Sequence, residues 1–357
     1  NSRFFKRTIF NRSRILRLLW IQLFKKSPVN FRRIAQVPKE HNAKGLSMFI
    51  KGYVNLYKIS HEEEYLNKAY SLADIIINQR SKNHPYFCVG YNFHWEARAF
   101  TVQPCTPNMI VSSFVAQAFL DLYELDNNSS WLTYATDIGH FIKNDLLLFE
   151  SENELCFGYI PNESARVHNA NLMGARLMAR LYLLTKNKTY KQLALKSVNY
   201  SCNSQRKDGA WIYGEKKHHQ WVDNFHTGFN LVAINDVQQY LGTNRWYKNI
   251  ERGMTFHEKY HFLDDMTPKY YDTQLYPIDI HNFAQGIDTF CVFGAEAKAE
   301  KLLNICMLLM FDKKKKYFYY QKNKFFSNKN NYIRWAQSWM FYALTKQALS
   351  KSNNIRK

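Results

Sequence analysis

Apolar residues recur at i, i+3, i+4 and i+7 in a long series of segments, the spacing that turns one face of an α-helix toward a core. The segments fall into pairs. First helices are expected over 44–58, 108–123, 169–184, 225–240, 282–295 and 333–349, and partners over 63–80, 130–146, 188–204, 244–260 and 297–311. Short polar turns such as "KISHEEEYL" and "LTKNKTYKQL" join each first helix to its partner. An aromatic, strand-like stretch and a polar loop then lead to the next first helix. The last first helix has no partner after it, and a helix near residues 9–24 is expected to supply one and close the ring.

Two architectures fit a train of helical hairpins, a closed toroid and an open solenoid. Solenoid repeats keep a fixed period of roughly 34 to 47 residues, whereas these first helices start about 51 to 64 residues apart. The surplus lies in the loops before each first helix, where function is usually grafted onto a scaffold. The expected fold is therefore all-α: an (α/α)6-type toroid of helical hairpins with short β-hairpin loops at one end. Its expected limits are residues 40–351, after a basic amphipathic arm over 1–39 and before a tail over 352–357.

Composition sharpens this picture in three ways. Aromatic residues make up 16% of the 357 residues, with 24 Tyr, 26 Phe and 8 Trp. A core needs Phe, but Tyr and Trp carry polar tips that want partners, and such rings stack well on sugars or bases; AT-rich codon usage accounts for part of the excess. Net charge is +20, which favours acidic partners without choosing among them. Residues 1–39 hold no Asp or Glu, so the arm can lie on an anionic membrane, or pack Ile9, Ile15, Leu16, Leu19 and Ile21 on the toroid with its charges solvated.

Several classes are set aside. The six Cys have no CxxC spacing and read as reduced core residues. No apolar run reaches the roughly 18 residues of a membrane-spanning helix, and no signal-peptide core is visible, so a cytoplasmic location with membrane association through the arm is the expectation. No HExxH, EF-hand, Walker or GxSxG motif occurs, so neither a metal nor a cofactor is expected. Nucleic acid is not an expected partner, since only charge and rings speak for it.

The candidate chemistry lies in the loops. If first helices form the inner ring, their N-termini converge on one end, bringing exposed N–H groups and positive dipole ends. Arg98, Arg166 and Arg334 would add cations there for a carboxylate, sulfate or phosphate, unless neighbouring acids such as Glu96 and Glu163 pair with them. The densest stretch runs from Trp211 through Tyr213 and Trp221 to Asp223, Asn224 and His226. Either Asp223 or Asn224 can cap the helix that follows, and His226 falls in its first turn. A second loop repeats the layout, with Tyr271 preceding Asp279 and His281. Two carboxylates and two His around one lumen suit acid/base work; two ordinary caps beside core His fit equally. Glu96 is a further candidate acid, and Trp95, Trp211, Trp221 and Trp335 are candidate stacking rings, with Gln337 beside the last.

The stretches "DGAWIYGEKKHHQWVDNFHTGFNL" and "NYIRWAQSWMFYAL" resemble motifs of bacterial polysaccharide-biosynthesis proteins in the six-hairpin glycosidase-like superfamily, and the resemblance spans residues 43–349. It implies an α/α toroid serving capsule or exopolysaccharide assembly, without fixing a reaction, since the superfamily holds hydrolases, uronate lyases and epimerases. The leading expectation is an enzyme acting on an acidic oligo- or polysaccharide by acid/base catalysis. The catalytic groups would be Asp223, His226, Asp279, His281, Tyr271 and Glu96, and the binding groups Trp95, Arg98, Arg166, Trp211, Tyr213, Trp221, Asn224, Arg334, Trp335 and Gln337. The alternative is a glycan-binding or scaffolding protein without turnover.

Overall fold

A computed structural model describes residues 2–96 and 101–355. The arm holds α1 (Arg3–Lys6) and α2 (Arg14–Lys26). Six inner helices follow, α3 (Ala43–Ser60), α5 (Met109–Asp126), α7 (His168–Thr185), α9 (Asn224–Leu241), α11 (Ile280–Val292) and α13 (Ser338–Ile355), interleaved with five outer ones, α4 (Glu63–Ile77), α6 (Ser129–Asp145), α8 (Lys188–Asn203), α10 (Tyr247–His261) and α12 (Glu296–Leu309). Each inner helix packs on the next, and α13 packs back on α3 to close the ring. The toroid expected from the hairpin pattern is the fold observed. No described helix is long and apolar enough to cross a membrane.

The inner helices are buried nearly all round, as their apolar composition requires. In α5 the run from Met109 to Leu120 is wholly buried. The outer helices show one apolar stripe each, such as Leu66, Ala69, Ala73 and Ile76 of α4. Several hairpin turns close through a left-handed residue, His61, Asn127, Lys186 or Gly242, as helix ends often do.

The aromatic stretches form short antiparallel pairs at the end where the inner helices begin. They are β1 (Trp95–Glu96) with β2 (Thr101–Val102), β3 (Leu147–Glu150) with β4 (Leu155–Phe157), and a three-stranded sheet of β5 (Ile278–Asp279), β8 (Gln321–Lys322) and β9 (Ser327–Asn328) in the order β5-β8-β9. The pair of β6 (Phe311–Asp312) and β7 (Tyr317–Phe318) precedes the last inner helix. That helix starts irregularly, with a π-helical turn over Ile333–Gln337.

At the opposite end a buried polar ring ties the inner helices together. Lys51 of α3 meets Asp121 of α5 at 2.7 Å, Asp121 meets Arg180 of α7 at 2.7 Å, and Arg176 of α7 meets Asp236 of α9 at 2.5 Å. Burial pushes the Asp121 carboxyl up, but Lys51 and Arg180 win and hold it well below the usual range. Such groups are tolerated inside because each charge has a partner.

The arm does not do what the pattern implied. Its helices do not lie along α13, so the outer ring has five helices among the described residues. The arm instead folds on itself: Trp20 stacks on Phe5 at 4.8 Å and packs on Phe24 at 5.1 Å. It is tied to the loop end of the toroid, where Asn328 donates to the carbonyls of Lys25 and Ser27 at 3.3 and 2.9 Å, and Arg32 lies 4.2 Å from the Tyr332 ring. Ile9, Ile15, Leu19 and Ile21 are exposed and not packed on the toroid. The helix is held at its C-terminal end, and its largest ring is spent inside the arm. At the far terminus α13 runs to Ile355, beyond residue 351. Five of the six Cys are buried, but Cys105 is exposed at a left-handed turn.

Candidate active site

The site is organised by the first turns of the inner helices. Asn42, Asn108, Asp223 and Asp279 each cap a helix by accepting a backbone N–H, from Gly45, Val111, His226 and His281. The second residue after the cap is Lys44 in α3, Phe225 in α9 and His281 in α11, and Arg334 holds the same place in the π turn before α13. These side chains meet at the head of the lumen. Lys44 Nζ lies 4.7 Å from the Phe114 ring and 5.4 Å from Trp339, while His281 lies 4.4 Å from Trp339, 4.5 Å from Trp335 and 4.8 Å from Phe225. Phe114, Phe229 and Trp339 pack on one another beneath them as a floor.

His226 and Asp223 form a tight pair. The imidazole Nδ1 lies 2.7 and 2.9 Å from the two carboxylate oxygens, and Trp221 Nε1 donates to the same carboxylate at 3.2 Å. In the neutral ring a carboxylate on Nδ1 holds the proton there, and Nε2 is then the lone-pair nitrogen. Nε2 has no partner among the described residues, and the side chain is 21% exposed. Tyr213 packs against this imidazole at 4.6 Å and stacks on Trp221 at 4.7 Å. Tyr91, Phe93, Trp95 and Tyr159 continue the rim; Trp95 lies 5.2 Å from Tyr159 and 6.0 Å from Tyr91. Burial and the neighbouring Tyr91 and Tyr213 push the Tyr159 hydroxyl well above its ordinary range, so it keeps its proton at neutral pH.

The centre is rich in cations. The Arg334 guanidinium lies 5.1 Å from the Tyr91 ring and 5.3 Å from Phe93, with no carboxylate within ion-pair distance among the described residues. Burial, and then Arg334, bring the Lys44 amine down to about 7. Burial, with Lys44, His226 and Arg334 nearby, keeps His281 neutral, and neither of its ring nitrogens has a hydrogen-bond partner among the described residues. Uncompensated donors around one buried point are what an anionic group would satisfy.

The second acid–histidine element is built differently from the first. Asp279 is fully buried, and it accepts from His281 N at 2.8 Å, Trp335 Nε1 at 3.0 Å and Gln321 Nε2 at 2.6 Å. Burial raises its carboxyl to about 6 against those hydrogen bonds. It is a tie between α11, β8 and the last helix, with no oxygen open to a ligand. His281 faces the lumen under Trp335, whereas His226 sits at the mouth.

Other expected site residues go elsewhere. Trp211 is buried between α9 and α10, where a Cβ on Gly253 would touch it, and its indole donates to the Ser201 carbonyl; neither ring face is free. Asn224 turns away from the lumen to donate to the His261 carbonyl at 2.9 Å. Gln337 is spent on the Phe318 backbone, accepting at 3.1 Å and donating at 2.7 Å. Arg166 lies over Phe149 and pairs with Glu215 at 3.7 Å, while Glu163 pairs with Lys216. Tyr271 reaches Asp223 through a backbone bridge. Glu96 lies on β1 with its side chain outside the described part, and Arg98 falls outside the described residues. Lys44 and Tyr159 went unrecognised in the sequence. The signal for Lys44 was its place two residues after a cap, the place that His281 and Arg334 share.

Several solved structures share this fold. A cellobiose 2-epimerase from Bacillus thermoamylovorans superposes with a TM-score of 0.66 at 12% identity, over 87% of this chain and 88% of that one. A polysaccharide lyase gives 0.58 at 11% identity, over 92% and 96%. An α-mannanase of Bacteroides thetaiotaomicron gives 0.62 at 11% identity, over 88% of each chain. No family model matches the chain, and no curated protein matches it in sequence.

Proposed function

We propose that this chain is a carbohydrate-active enzyme that moves a proton at a carbon of an acidic sugar, by epimerisation, isomerisation or β-elimination. The observation that carries the reading is the combination of His226 Nε2, oriented by Asp223, with the cations Lys44 and Arg334 at the same lumen, all three without a hydrogen-bonding or ion-pair partner among the described residues. A proton next to a carboxylate or carbonyl becomes removable when the developing enolate oxygen is stabilised by fixed positive charge. His226 would take the proton, Arg334 and Lys44 would hold the anionic group, and Tyr159 or Tyr213 would return or relay a proton. Trp95 and Trp335 would flank the sugar ring, and Asp279 would act as a positioning residue.

Hydrolysis needs two carboxyl groups flanking the glycosidic bond. Asp223 is committed to His226 and Trp221, and Asp279 is sealed, so among the described residues the lumen favours proton transfer over hydrolysis. The same-fold structures span epimerase, lyase and mannanase, so the fold permits each chemistry without choosing one. We infer assembly of a capsule or exopolysaccharide as the setting, on the motif resemblance around Asp223 and Arg334.

The test is incubation with uronate-containing and neutral oligosaccharides in D2O, read by mass and NMR. Epimerisation or isomerisation would leave deuterium on a sugar carbon, elimination would leave an unsaturated sugar, and hydrolysis would do neither. We expect one of the first two outcomes, lost by at least about a hundredfold in His226→Ala. Hydrolysis without carbon-bound deuterium would overturn the reading, and binding with no product would make the chain a glycan-binding protein.

A further inference from the structure

Two elements at the loop end expose apolar side chains that a protein in water has no reason to keep exposed. On α2, Ile15, Leu19 and Leu23 follow at i, i+4 and i+8 and are 70%, 59% and 55% exposed. On the turn between β8 and β9, Phe325 and Phe326 are 88% and 45% exposed. The two elements adjoin, because Asn328 of β9 holds the carbonyls of Lys25 and Ser27 at the end of α2. They are far apart in sequence, so one odd stretch of composition does not account for both.

Charge identifies the partner. Residues 1–39 contain no Asp or Glu, and neither do residues 313–357. Both apolar elements therefore lie in stretches of chain without a carboxylate, with Lys25 and Lys26 at the end of the helix and Lys322, Lys324 and Lys329 along the hairpin. Apolar wedges framed by cations fit the interface of an anionic bilayer, where side chains enter the acyl boundary and Lys and Arg meet lipid phosphates. A protein partner would need a matching acidic rim; a second copy of this chain would bring the same basic surface and be repelled.

We propose that this face of the toroid docks on an anionic membrane, bringing the mouth of the lumen to the lipid surface. The hairpin is part of the sheet that carries Asp279, so the docking elements and the candidate site share one frame. The enzyme would then meet its glycan where that glycan is anchored in the bilayer. The docking itself does not depend on the reaction assigned above.

The test is sedimentation of the full chain with phosphatidylcholine vesicles, with and without phosphatidylglycerol. Binding is expected only to the anionic vesicles, weakening as salt rises. It should fall by about tenfold or more in Phe325→Ser/Phe326→Ser and, separately, in Leu19→Ser/Leu23→Ser, each with an unchanged melting temperature. A Lys322→Gln/Lys324→Gln variant, which keeps every apolar group, should lose part of the affinity. Absence of binding, equal binding to neutral vesicles, or indifference to both serine pairs would overturn the proposal. So would a concentration-dependent dimer that the Phe325→Ser/Phe326→Ser change dissolves.

Discussion

Lys44 shows how much a single buried group can report. Its amine is brought from 10.5 to about 7 by burial and by Arg334. Between those two values the unfolded chain binds a proton that the folded chain does not, so stability rises with pH from about 7 to about 10.5. Below pH 7 both states are protonated, and the cost of burying the charge is felt in full. Lys44→Met should therefore abolish that rise and melt at a higher temperature than the wild type at pH 6, a gain of a few kcal/mol in the empty protein. Melting curves across this range decide it; parallel profiles would mean that the amine is not buried as described.

At the scale of elements, the helices were readable and the directions of the side chains were not. Periodicity placed the six inner helices because each buries a continuous face, and the caps of two of them were visible in the acid–histidine loops, at Asp223 and Asp279. Asp223–His226 and Asp279–His281 look like copies in sequence. The spacing from cap to His differs by one residue, which turns one imidazole back onto its own cap and sends the other into the lumen. Trp211 went into the core, and Arg166 took the alternative of pairing with an acid, because order along a loop does not say which side faces in. Asp279 also carries an element-scale prediction. With its carboxyl raised from 3.8 to about 6, the folded chain holds the extra proton, so stability falls as pH rises through that interval. Asp279→Asn keeps an acceptor for His281 N and Trp335 and, with the Gln321 amide turned to accept from the new Nδ2, should gain about 1–3 kcal/mol at pH 8 but little at pH 4. Asp279→Ala, which removes the cap, should lose about 1 kcal/mol at pH 4. Melting temperatures of both variants at the two pH values test the pair.

At the scale of the whole molecule, the closed ring was legible but the place of its sixth outer helix was not. The expected sixth outer helix is exposed on the loop end, because its ring and its attachments are engaged there, and periodicity alone cannot say where an amphipathic helix docks. Every other neighbouring pair of inner helices is linked through an outer helix between them. The α3–α13 junction has no such helix among the described residues and is packed through side chains that include Phe341 on Phe49 at 5.4 Å and on Tyr53 at 5.0 Å, with Asn55 donating to Thr345 at 3.3 Å. The two helices pack closely on each other, but no outer helix covers their junction among the described residues, and an uncovered backbone is where exchange with water begins. Hydrogen exchange should find the amides of α13 and α3 releasing ahead of those in α7, with the difference shrinking when an anionic sugar bridges Lys44 on one side of the junction and Arg334 on the other. The substrate would then do for this toroid what a sixth outer hairpin does for a fully clad one: it would fasten the ring.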